Sequence, residues 1–561
     1  MPTEKLWPIE AYLAERVETA IRQAGFTLPE GARIDVEVPR EPEHGDWATP
    51  VALTLAKTAR RPPRQVAEAL RDALVQEIER DVVSSIEIAG AGFINFRLAP
   101  AWLAENLKRI LASPDGYGSS SVGQGEKILI EYVSANPTGP LNVVNARAAS
   151  FGDALLRILN AAGYTADGEF YVNDWGTQAE LFGASVRTRF AESLGLPAPP
   201  IPEEGYAGEY VAEVATKLSQ EEGKRWLALP EQEQRQEFGQ AAIDLMVERQ
   251  RAQLESFGVA IKRWYRESEL HRKGMVERAL ARLRDRGHVY EKDGALWFRS
   301  TQFGDQEDRV VVRSNGVPTY VLPDTAYHDD KFARGYERLI DILGPDHHGH
   351  IVRMKGVLEA LGHDPGRFDV ITLQWVKLLR GGEIVKMSKR SGDFISMEEL
   401  VEEVGVDAAR FFFLMRRAES PMDFDLELAV KRSEDNPVYY VQYAHARIIH
   451  VLEYAKSQGV PEPAIAAARP DLLHEAETLT LLRGLAAFPS LVAAAARYRE
   501  PHRIPMYLKE LAAKFHSFYH VHRVVGPDAA VTAARLLLVR ATGVVFRRGL
   551  GLLGVSAPES M

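Results

Sequence analysis

The chain has 561 residues, of which 46% are hydrophobic and 26% are charged. This composition is typical of a globular protein with several domains, and it excludes both a disordered chain and a small disulfide-stapled scaffold. The sequence has no cysteine, so it also excludes disulfides, thiolate metal sites and a cysteine nucleophile. The formal net charge of -10 argues against a protein that coats nucleic acid without specificity. The last 61 residues nevertheless have eight basic and three acidic side chains, which favours one anionic partner bound at this end.

The first unit along the chain is predicted to be a small α+β domain at residues 1–118. Apolar spacing predicts two helices and three short strands in it: helices over 4–26 and 63–81, and strands at 33–38, 86–88 and 93–98. A run rich in Ser, Gly, Pro and Asp over 113–121 is typical of a linker and ends the domain.

The second unit, residues 122–414, shows the strand–helix–strand pattern of a nucleotide-binding parallel sheet. The predicted order is a buried strand at 127–133, a loop at 134–140, a helix over 142–162 and a strand at 170–172. Residues 180–290 read as a helical, charged insertion. Strands are expected again at 295–298, 309–312, 338–343 and 369–373. From about 396 onward the chain reads as helix after helix, and residues 415–561 are predicted to form an all-α bundle.

No export signal or membrane span is apparent in the sequence. Glu and Pro interrupt the N-terminus, and the apolar stretch 485–496 contains Pro489 and is too short to cross a bilayer. A cytoplasmic protein is therefore expected.

The sharpest motif is Lys386-Met387-Ser388-Lys389-Arg390, which has Gly381-Gly382 before it and Ser391-Gly392 after it. Cations on a loop with a hinge at each end suit a polyphosphate whose charge is neutralised transiently. The motif resembles the second signature of class I aminoacyl-tRNA synthetases. The resemblance implies that Lys386 and Lys389 stabilise the α-phosphate of ATP during attack by an amino-acid carboxylate, and that Met387 and Ser388 contact ATP.

The first signature of that class is altered in this chain. Its frame is present around the start of the helix after the first strand, but Asn142 and Asn145 replace its two histidines and Val144 replaces its glycine. An Asn amide can donate to a phosphate at a helix N-terminus. The resemblance implies that Asn142, Val144 and Asn145 contact ATP, with the two asparagines acting in catalysis; the alternative is that the asparagines only cap the helix.

Several segments together resemble arginyl-tRNA synthetases over nearly the whole chain. They are residues 131–139, 171–178, 318–324, 344–350 and 436–447. The resemblance implies a Rossmann-type catalytic domain between the α+β domain and the helical bundle, and a ligase that activates arginine. It assigns the arginine site to Glu131, Asn136, Tyr320, Asp324 and His348. Carboxylates suit this ligand because they can bind a guanidinium bidentately.

Asp346, His347, His348 and His350 have a spacing that a metal site could use. The resembled family holds no zinc there, so no metal site is predicted, and Mg²⁺ is expected to arrive with ATP.

The helical bundle is expected to bind the anticodon of tRNA(Arg), with Tyr439, Tyr443, Arg447 and Met561 in contact. Aromatic rings and Arg planes can stack on unpaired bases, although a tyrosine stripe on a helix also suits core packing. The N-terminal domain resembles the part of the family that contacts the tRNA elbow, and a monomer is expected. A second function stays open: a paralogue that binds tRNA but has lost ATP chemistry through its altered first signature.

Overall fold

The structure is a computed structural model that describes residues 9–39, 41, 44–222, 225–345, 348–385, 395–461 and 467–561. Its N-terminal part packs helices against a three-stranded antiparallel sheet in which β3 is central. The elements are α1 (Ile9–Gln23), β1 (Trp47–Thr49), α2 (Val51–Ala59), α3 (Pro63–Glu77), β2 (Val83–Ala89), β3 (Phe93–Leu98) and α4 (Pro100–Ala112).

Both predicted helices and the two later predicted strands of this part are confirmed. The prediction of a strand at 33–38 is wrong, because this segment forms only an isolated bridge between Glu37 and Ala48. Its partner strand is three residues long, and Pro39 has no N–H to extend a ladder.

The middle of the chain forms a parallel sheet, an antiparallel hairpin sheet and their helices. The strands are β4 (Lys127–Glu131), β5 (Thr165–Val172), β6 (Arg263–Arg266), β7 (Val289–Lys292), β8 (Ala295–Phe298), β9 (Arg309–Val312), β10 (Arg338–Leu343) and β11 (Phe368–Thr372). The helices are α5 (Val143–Ala161), α6 (Thr177–Ser193), α7 (Glu209–Glu222), α8 (Glu231–Ser256), α9 (Glu267–Arg272), α10 (Met275–Asp285), α11 (Val321–Ala333) and α12 (His348–Leu361).

The parallel sheet has the strand order β11–β10–β4–β5–β6, and every neighbouring pair is parallel. The predicted strands and the predicted helix between β4 and β5 are confirmed. The predicted insertion at 180–290 is mostly helical, as expected, but it also contains β6, the edge strand of this sheet, which was not predicted. The sequence of β6, Arg-Trp-Tyr-Arg, has too few apolar residues to stand out from its charged surroundings.

The C-terminal part is helical apart from one small sheet with the strand order β13–β12–β14. The strands are β12 (Val376–Arg380), β13 (Glu383–Ile384) and β14 (Met422–Asp425). The helices are α13 (Met397–Val404), α14 (Val406–Leu414), α15 (Leu426–Val430), α16 (Pro437–Ser457), α17 (Ala476–Ala486), α18 (Phe488–Tyr498), α19 (Arg503–Val521) and α20 (Ala529–Leu553). The expectation of helices alone after 396 is therefore wrong at β14, which pairs in parallel with β12.

Two stretches are long and apolar enough to cross a membrane by length and composition, Ala476–Tyr498 and Ala529–Leu553. Of these windows, 56% and 72% are buried inside the molecule. Both stretches therefore serve as core helices of the bundle, which is the ordinary reason for such composition in a packed domain.

A fully buried arginine joins the parallel-sheet region to the bundle. Arg410 of α14 donates to the carbonyls of Leu553, at 2.9 Å, and Phe257, at 3.2 Å, and forms an ion pair with Asp153 of α5. One guanidinium thus contacts α5, the end of the insertion and the end of α20. We call this set of contacts the Arg410 junction.

Candidate active site

Three acidic side chains form a row across the parallel sheet, which we call the acidic row. Asp341 of β10 is in register with Glu131 of β4, and Glu131 is in register with Glu169 of β5. Paired positions on neighbouring parallel strands face the same side of a sheet, so the carboxylates lie side by side. All three side chains are buried. Of the three, only Glu131 is predicted from the sequence to be a site residue.

Helix α11 covers the acidic row with cations. The Nζ of Lys331 donates to Glu131 Oε2 at 2.6 Å and to Asp341 Oδ1 at 3.0 Å. Arg334, directly after α11, donates from both terminal nitrogens to the two oxygens of Glu169, at 2.6 and 2.9 Å. Unpaired carboxylates are costly to bury, so these pairs offset part of the cost of placing the row in the interior.

The backbone turns sharply after β4, and this turn places the Ser134 side chain against the acidic row. Val133 and Ser134 have φ angles of 71° and 35°, which non-glycine residues adopt rarely and mostly at functional sites. Ser134 Oγ donates to Glu131 Oε1 at 2.9 Å and accepts from the backbone N–H of Tyr171 at 3.1 Å. Asn136, two residues further on, is exposed at the surface beyond this turn.

Asp324, a predicted arginine-site residue, lies within electrostatic range of the acidic row. Burial raises the pKa of its carboxyl to about 6, and the negative charges of Glu131 and Asp341 act in the same direction. Burial likewise raises the pKa of Glu267 to about 7, with a contribution from Asp324. The ring of Tyr171 lies close to the same three acids, Glu267, Asp324 and Glu131, which together with burial raise its pKa. The structure therefore gathers Glu131, Asp324, Glu267 and Tyr171 into one cluster of interacting groups, which we call the acidic pocket.

Glu267 is a site residue that was not predicted from the sequence. It begins α9, directly after β6, in the region read as a helical insertion. His271 Nε2 lies 3.6 Å from Glu267 Oε1, and the ring of His271 stacks on the half-exposed Trp175 with 4.5 Å between centroids. Recognition of β6 as an edge strand would have placed Glu267 at the carboxyl end of the sheet, where open α/β sheets bind ligands.

The two predicted catalytic asparagines form the N-terminal cap of α5. Asn142 Oδ1 accepts from the backbone N–H groups of Val144, at 2.9 Å, and Asn145, at 3.2 Å. Asn145 Oδ1 accepts in return from the N–H of Asn142 at 3.0 Å, which completes a capping box. The amide oxygens of both side chains thus accept hydrogen bonds from the backbone of the first turn. Their NH₂ groups can donate to a phosphate.

The second signature lies outside the described residues, but the chain on both sides of it is described. The predicted residues in that stretch are Lys386, Met387, Ser388 and Lys389. On the near side, the N–H of Val385 donates to the carbonyl of Leu378 in β12 at 2.9 Å. On the far side, Ser396 pairs with Asn142 in an isolated antiparallel bridge. Ser396, which follows the signature in the sequence, therefore lies beside the N-terminus of α5.

Tyr320 and His348 are not placed in the acidic pocket by the described contacts. Tyr320 precedes α11 and is 63% exposed; its hydroxyl accepts from Arg353, which also approaches Asp305 at 3.7 Å. His348 is the first residue of α12, and its side chain lies outside the described part of the structure. Asp346 and His347, which were considered as metal ligands, also lie outside the described residues.

One group of side chains has the composition of a metal site. Glu131, His328 and Asp341 each offer a ligand atom, and these atoms lie within 4.8 Å of one another. The ammonium of Lys331 binds two of the three groups, so a cation of the chain itself already serves these carboxylates.

Three of the four predicted tRNA-contacting residues line a cavity of about 410 Å³ in the helical bundle. The guanidinium of Arg447 lies 5.0 Å from the ring of Tyr443 and 5.3 Å from that of Tyr519. Tyr439 stacks on Tyr443 with 6.0 Å between centroids but lies outside this cavity. The cavity is lined by Tyr443, Ala446, Arg447, His450, Val451, Tyr454, Tyr519 and Met561.

Three family models match successive parts of the chain. They describe an arginyl tRNA synthetase N-terminal domain at residues 11–98, the catalytic domain of class I (R) tRNA synthetases at 106–419, and a DALR anticodon-binding domain at 441–561. An arginine–tRNA ligase of Desulforamulus reducens is 47% identical over 560 residues, which cover 99% of this chain and 99% of the relative. The chain belongs to the arginyl-tRNA synthetase family.

Other members of the family agree with this assignment. The arginine–tRNA ligase of Moorella thermoacetica is 47% identical over 555 residues, which cover 99% of this chain and 98% of the relative. The solved Thermus thermophilus arginyl-tRNA synthetase has the same fold, with a TM-score of 0.77 over 98% of this chain and 100% of that chain at 22% identity. The predicted family, fold class and ligase activity are confirmed, and these findings support the ligase rather than the inactive paralogue.

Proposed function

We propose that the chain uses ATP to activate L-arginine as arginyl-adenylate and transfers the arginyl group to the terminal adenosine of tRNA(Arg). The observation that carries the proposal is the acidic pocket at the carboxyl end of the parallel sheet. Its members come from four elements: Glu131 from β4, Tyr171 from β5, Glu267 from α9 and Asp324 from α11. Buried acids with nearby phenol oxygen form a receptor for a planar cation with five N–H donors.

The acidic pocket also explains selectivity for arginine. Glu131, Asp324 and Glu267 are the acceptors for the guanidinium and the α-ammonium group, while Asn136, Tyr320 and His348 complete the site. An apolar amino acid would leave buried acceptors without partners, so it would be rejected strongly without an editing step. Lysine would satisfy one acceptor but lacks the planar fork that binds a carboxylate at two points.

ATP is proposed to bind at the N-terminus of α5. The capped first turn and the helix dipole favour an anion there, and the amides of Asn142 and Asn145 add donors. Val144 lies beside the nucleotide, and Met387, Ser388 and the cations Lys386 and Lys389 approach from the other signature. Mg²⁺ enters with the triphosphate, because hydrated Mg²⁺ is usually carried by phosphates rather than by a protein cage.

The chemistry needs no nucleophile from the protein. A carboxylate oxygen of arginine attacks the α-phosphorus, and pyrophosphate leaves; the 2′-hydroxyl of the terminal adenosine then attacks the arginyl carbonyl, and AMP leaves. The residues of the chain hold both reactants in line and neutralise charge that develops on the phosphate, which accounts for the role of Lys386 and Lys389.

The bundle is proposed to hold the anticodon loop. The cavity around Tyr443, Arg447 and Met561 presents aromatic faces and a guanidinium plane to which unpaired bases can stack, and Tyr439 extends that face. We propose domain boundaries at 1–118, 122–414 and 415–561, with the first domain at the tRNA elbow. The enzyme is proposed to act as a monomer in the cytoplasm.

The test is exchange of pyrophosphate into ATP. We expect exchange that depends on arginine and on tRNA(Arg), with lysine and citrulline inactive. Exchange that proceeds equally well without arginine would contradict the substrate. A complete absence of exchange at every tRNA concentration, with tRNA binding intact, would instead identify a paralogue that has lost ATP chemistry.

A further inference from the structure

Lys331 is the cation on which the middle of the acidic row depends. It is 1% exposed, and its Nζ lies 2.6 Å from Glu131 Oε2 and 3.0 Å from Asp341 Oδ1. The face of the Tyr327 ring lies 4.2 Å from the same nitrogen. An ammonium has three N–H donors, and two carboxylates and one ring face account for all three.

This ammonium fixes one oxygen of Glu131 while Ser134 holds the other. The Oε2 atom accepts from Lys331 and the Oε1 atom accepts from Ser134 at 2.9 Å. A carboxylate has about four acceptor positions, so two positions remain for a ligand, and their direction is set by these two donors. Rotation of Glu131 would break a buried charged hydrogen bond.

The same ammonium replaces the cation that the surrounding ligand atoms could otherwise hold. Glu131, His328 and Asp341 bring their ligand atoms within 4.8 Å of one another, which is the arrangement of a divalent-metal site. Lys331 binds two of these three groups with a single charge on a tethered side chain. The row therefore keeps a net negative charge that a divalent metal would cancel.

We propose that Lys331 is a positioning residue for arginine: it orients the Glu131 carboxylate toward the acidic pocket and partly screens the acids around Asp324. The proposal rests on the proposed function, because Glu131 and Asp324 are taken as acceptors for the substrate. Lys331 lies behind Glu131 and acts through it. Its loss is expected to weaken arginine binding without a comparable effect on ATP.

Arg334 provides the matched comparison. It also supplies a cation to the acidic row from the same end of α11, is partly buried, and binds Glu169 through two hydrogen bonds of 2.6 and 2.9 Å. Tyr327 donates to the same carboxylate at 2.8 Å. Removal of either cation leaves a buried carboxylate short of a partner, but only Lys331 contacts Glu131.

The proposal also predicts a change in pH dependence. Protonated Asp324 cannot form a bidentate ion pair with a guanidinium. Lys331 favours the ionised form of Asp324, while Glu131 and Asp341 disfavour it. Without Lys331, protonation of Asp324 would persist to higher pH, and arginine binding would recover only as pH rises. The charged and titratable groups that face Asp324 are Glu131, Asp341, His328, Lys331, Tyr171 and Glu267.

The experiment compares full-length wild type, Lys331→Met and Arg334→Met by arginine-dependent exchange at saturating tRNA. For Lys331→Met we expect the KM for arginine to rise on the order of 30-fold and the KM for ATP to change by less than about 3-fold. The ratio of the KM for arginine in Lys331→Met to that in wild type should decrease as the pH rises from about 6 to about 8. Arg334→Met should lose thermal stability while its KM for arginine stays within about 3-fold of wild type.

A double variant covers the case in which Lys331→Met does not fold. Lys331→Met with Asp341→Leu removes one cation and one anion together and refills the space with apolar atoms, which proteins often tolerate. Because Glu131 still lacks its fixed donor, the KM for arginine should remain raised. Recovery of the wild-type value in the double variant would overturn the proposal. So would an unchanged KM for arginine in a folded Lys331→Met, or an equal rise in both KM values.

The two proposals fail in different ways. A wild-type chain with no arginine-dependent exchange contradicts the proposed function itself. An active wild type whose arginine binding does not change on loss of Lys331 contradicts only the positioning role.

Discussion

Asn142 pairs with Ser396 in an isolated antiparallel bridge, and each of these residues is the N-cap of a helix. Asn142 caps α5 and Ser396 caps α13, both through capping boxes. The N-termini of two helices therefore start from one short pairing. The two positive dipole ends favour a polyanion at this place.

The double role of Asn142, as helix cap and phosphate donor, can be separated by substitution. Asn142→Ala should lose about 1 kcal/mol of unfolding free energy and raise the KM for ATP about 10-fold. Asn142→Ser should keep the stability, since Ser is as good a cap, but lose the amide donor. Chemical denaturation and exchange kinetics measure the two effects. A normal KM for ATP in Asn142→Ser would limit Asn142 to capping.

Lys389 is expected to act on the transition state rather than on arginine binding. Lys389→Ala should slow adenylate formation about 100-fold or more and change the dissociation constant of arginine by less than about 3-fold. Single-turnover quench experiments and equilibrium dialysis give the two quantities. Lys377→Ala, which removes an exposed cation of β12, is the control and should behave as wild type. An equal loss of binding and rate in Lys389→Ala would contradict the assignment.

Asp324 should make arginine binding depend on pH. Burial raises the pKa of Asp324 to about 6 and that of Glu267 to about 7, so the KM for arginine should rise as the pH falls below neutrality. Asp324→Asn should raise the KM at all pH values and remove the lower of the two transitions. Asp324→Ala should abolish discrimination against citrulline. Unchanged discrimination in Asp324→Ala would remove this residue from the pocket.

The free energy of unfolding should also depend on the protonation of Asp324, but here the protonated form is the more stable one. The folded state raises the pKa of Asp324, so it binds this proton more tightly than the unfolded state does, and the proton stabilises the fold at low pH. This contribution is lost as pH rises from about 4 to about 6. Asp324→Asn, which mimics the protonated group, should therefore be more stable than wild type by about 1–2 kcal/mol above about pH 7 and equal to it near about pH 4. Urea unfolding at the two pH values measures the difference.

The cavity in the bundle should contribute to tRNA affinity alone. Arg447→Ala removes a guanidinium that lies over two tyrosine rings, and we expect the KM for tRNA(Arg) to rise about 10- to 100-fold, the usual loss on removal of a stacking partner. The rate at saturating tRNA should be near normal. Lys509→Ala, an exposed cation on α19, tests for a general charge effect and should change the KM little.

The sequence was most informative where a strand or helix is regular and apolar. The run that ends at Glu131 is buried on both faces, so β4 and its loop were predictable, and Asn142 with Asn145 marked the start of α5. The weak points were edge elements. The strand β6 is short and charged, and its partner β5 is needed to recognise it, so Glu267 was hidden in a segment that read as helical.

The acidic row could not have been predicted from local patterns. Glu169 and Asp341 each lie within apolar strands far apart in the chain, and only the register of three parallel strands brings them beside Glu131. Lys331 would ordinarily be read as a solvent-facing helix residue, since lysine is rarely buried unless it is paired. Its partners become apparent only when α11 is laid over the sheet.

The Arg410 junction bears on how the chain can be divided. Deletion of the chain from residue 553 onward would remove the Leu553 carbonyl, which accepts from the fully buried Arg410 guanidinium. The buried charge of Arg410 would then keep Asp153 as a partner but lose one of its acceptors. The catalytic half and the bundle are thus poor candidates for separate expression. A split enzyme would require Arg410 to be replaced by an apolar side chain together with its aspartate.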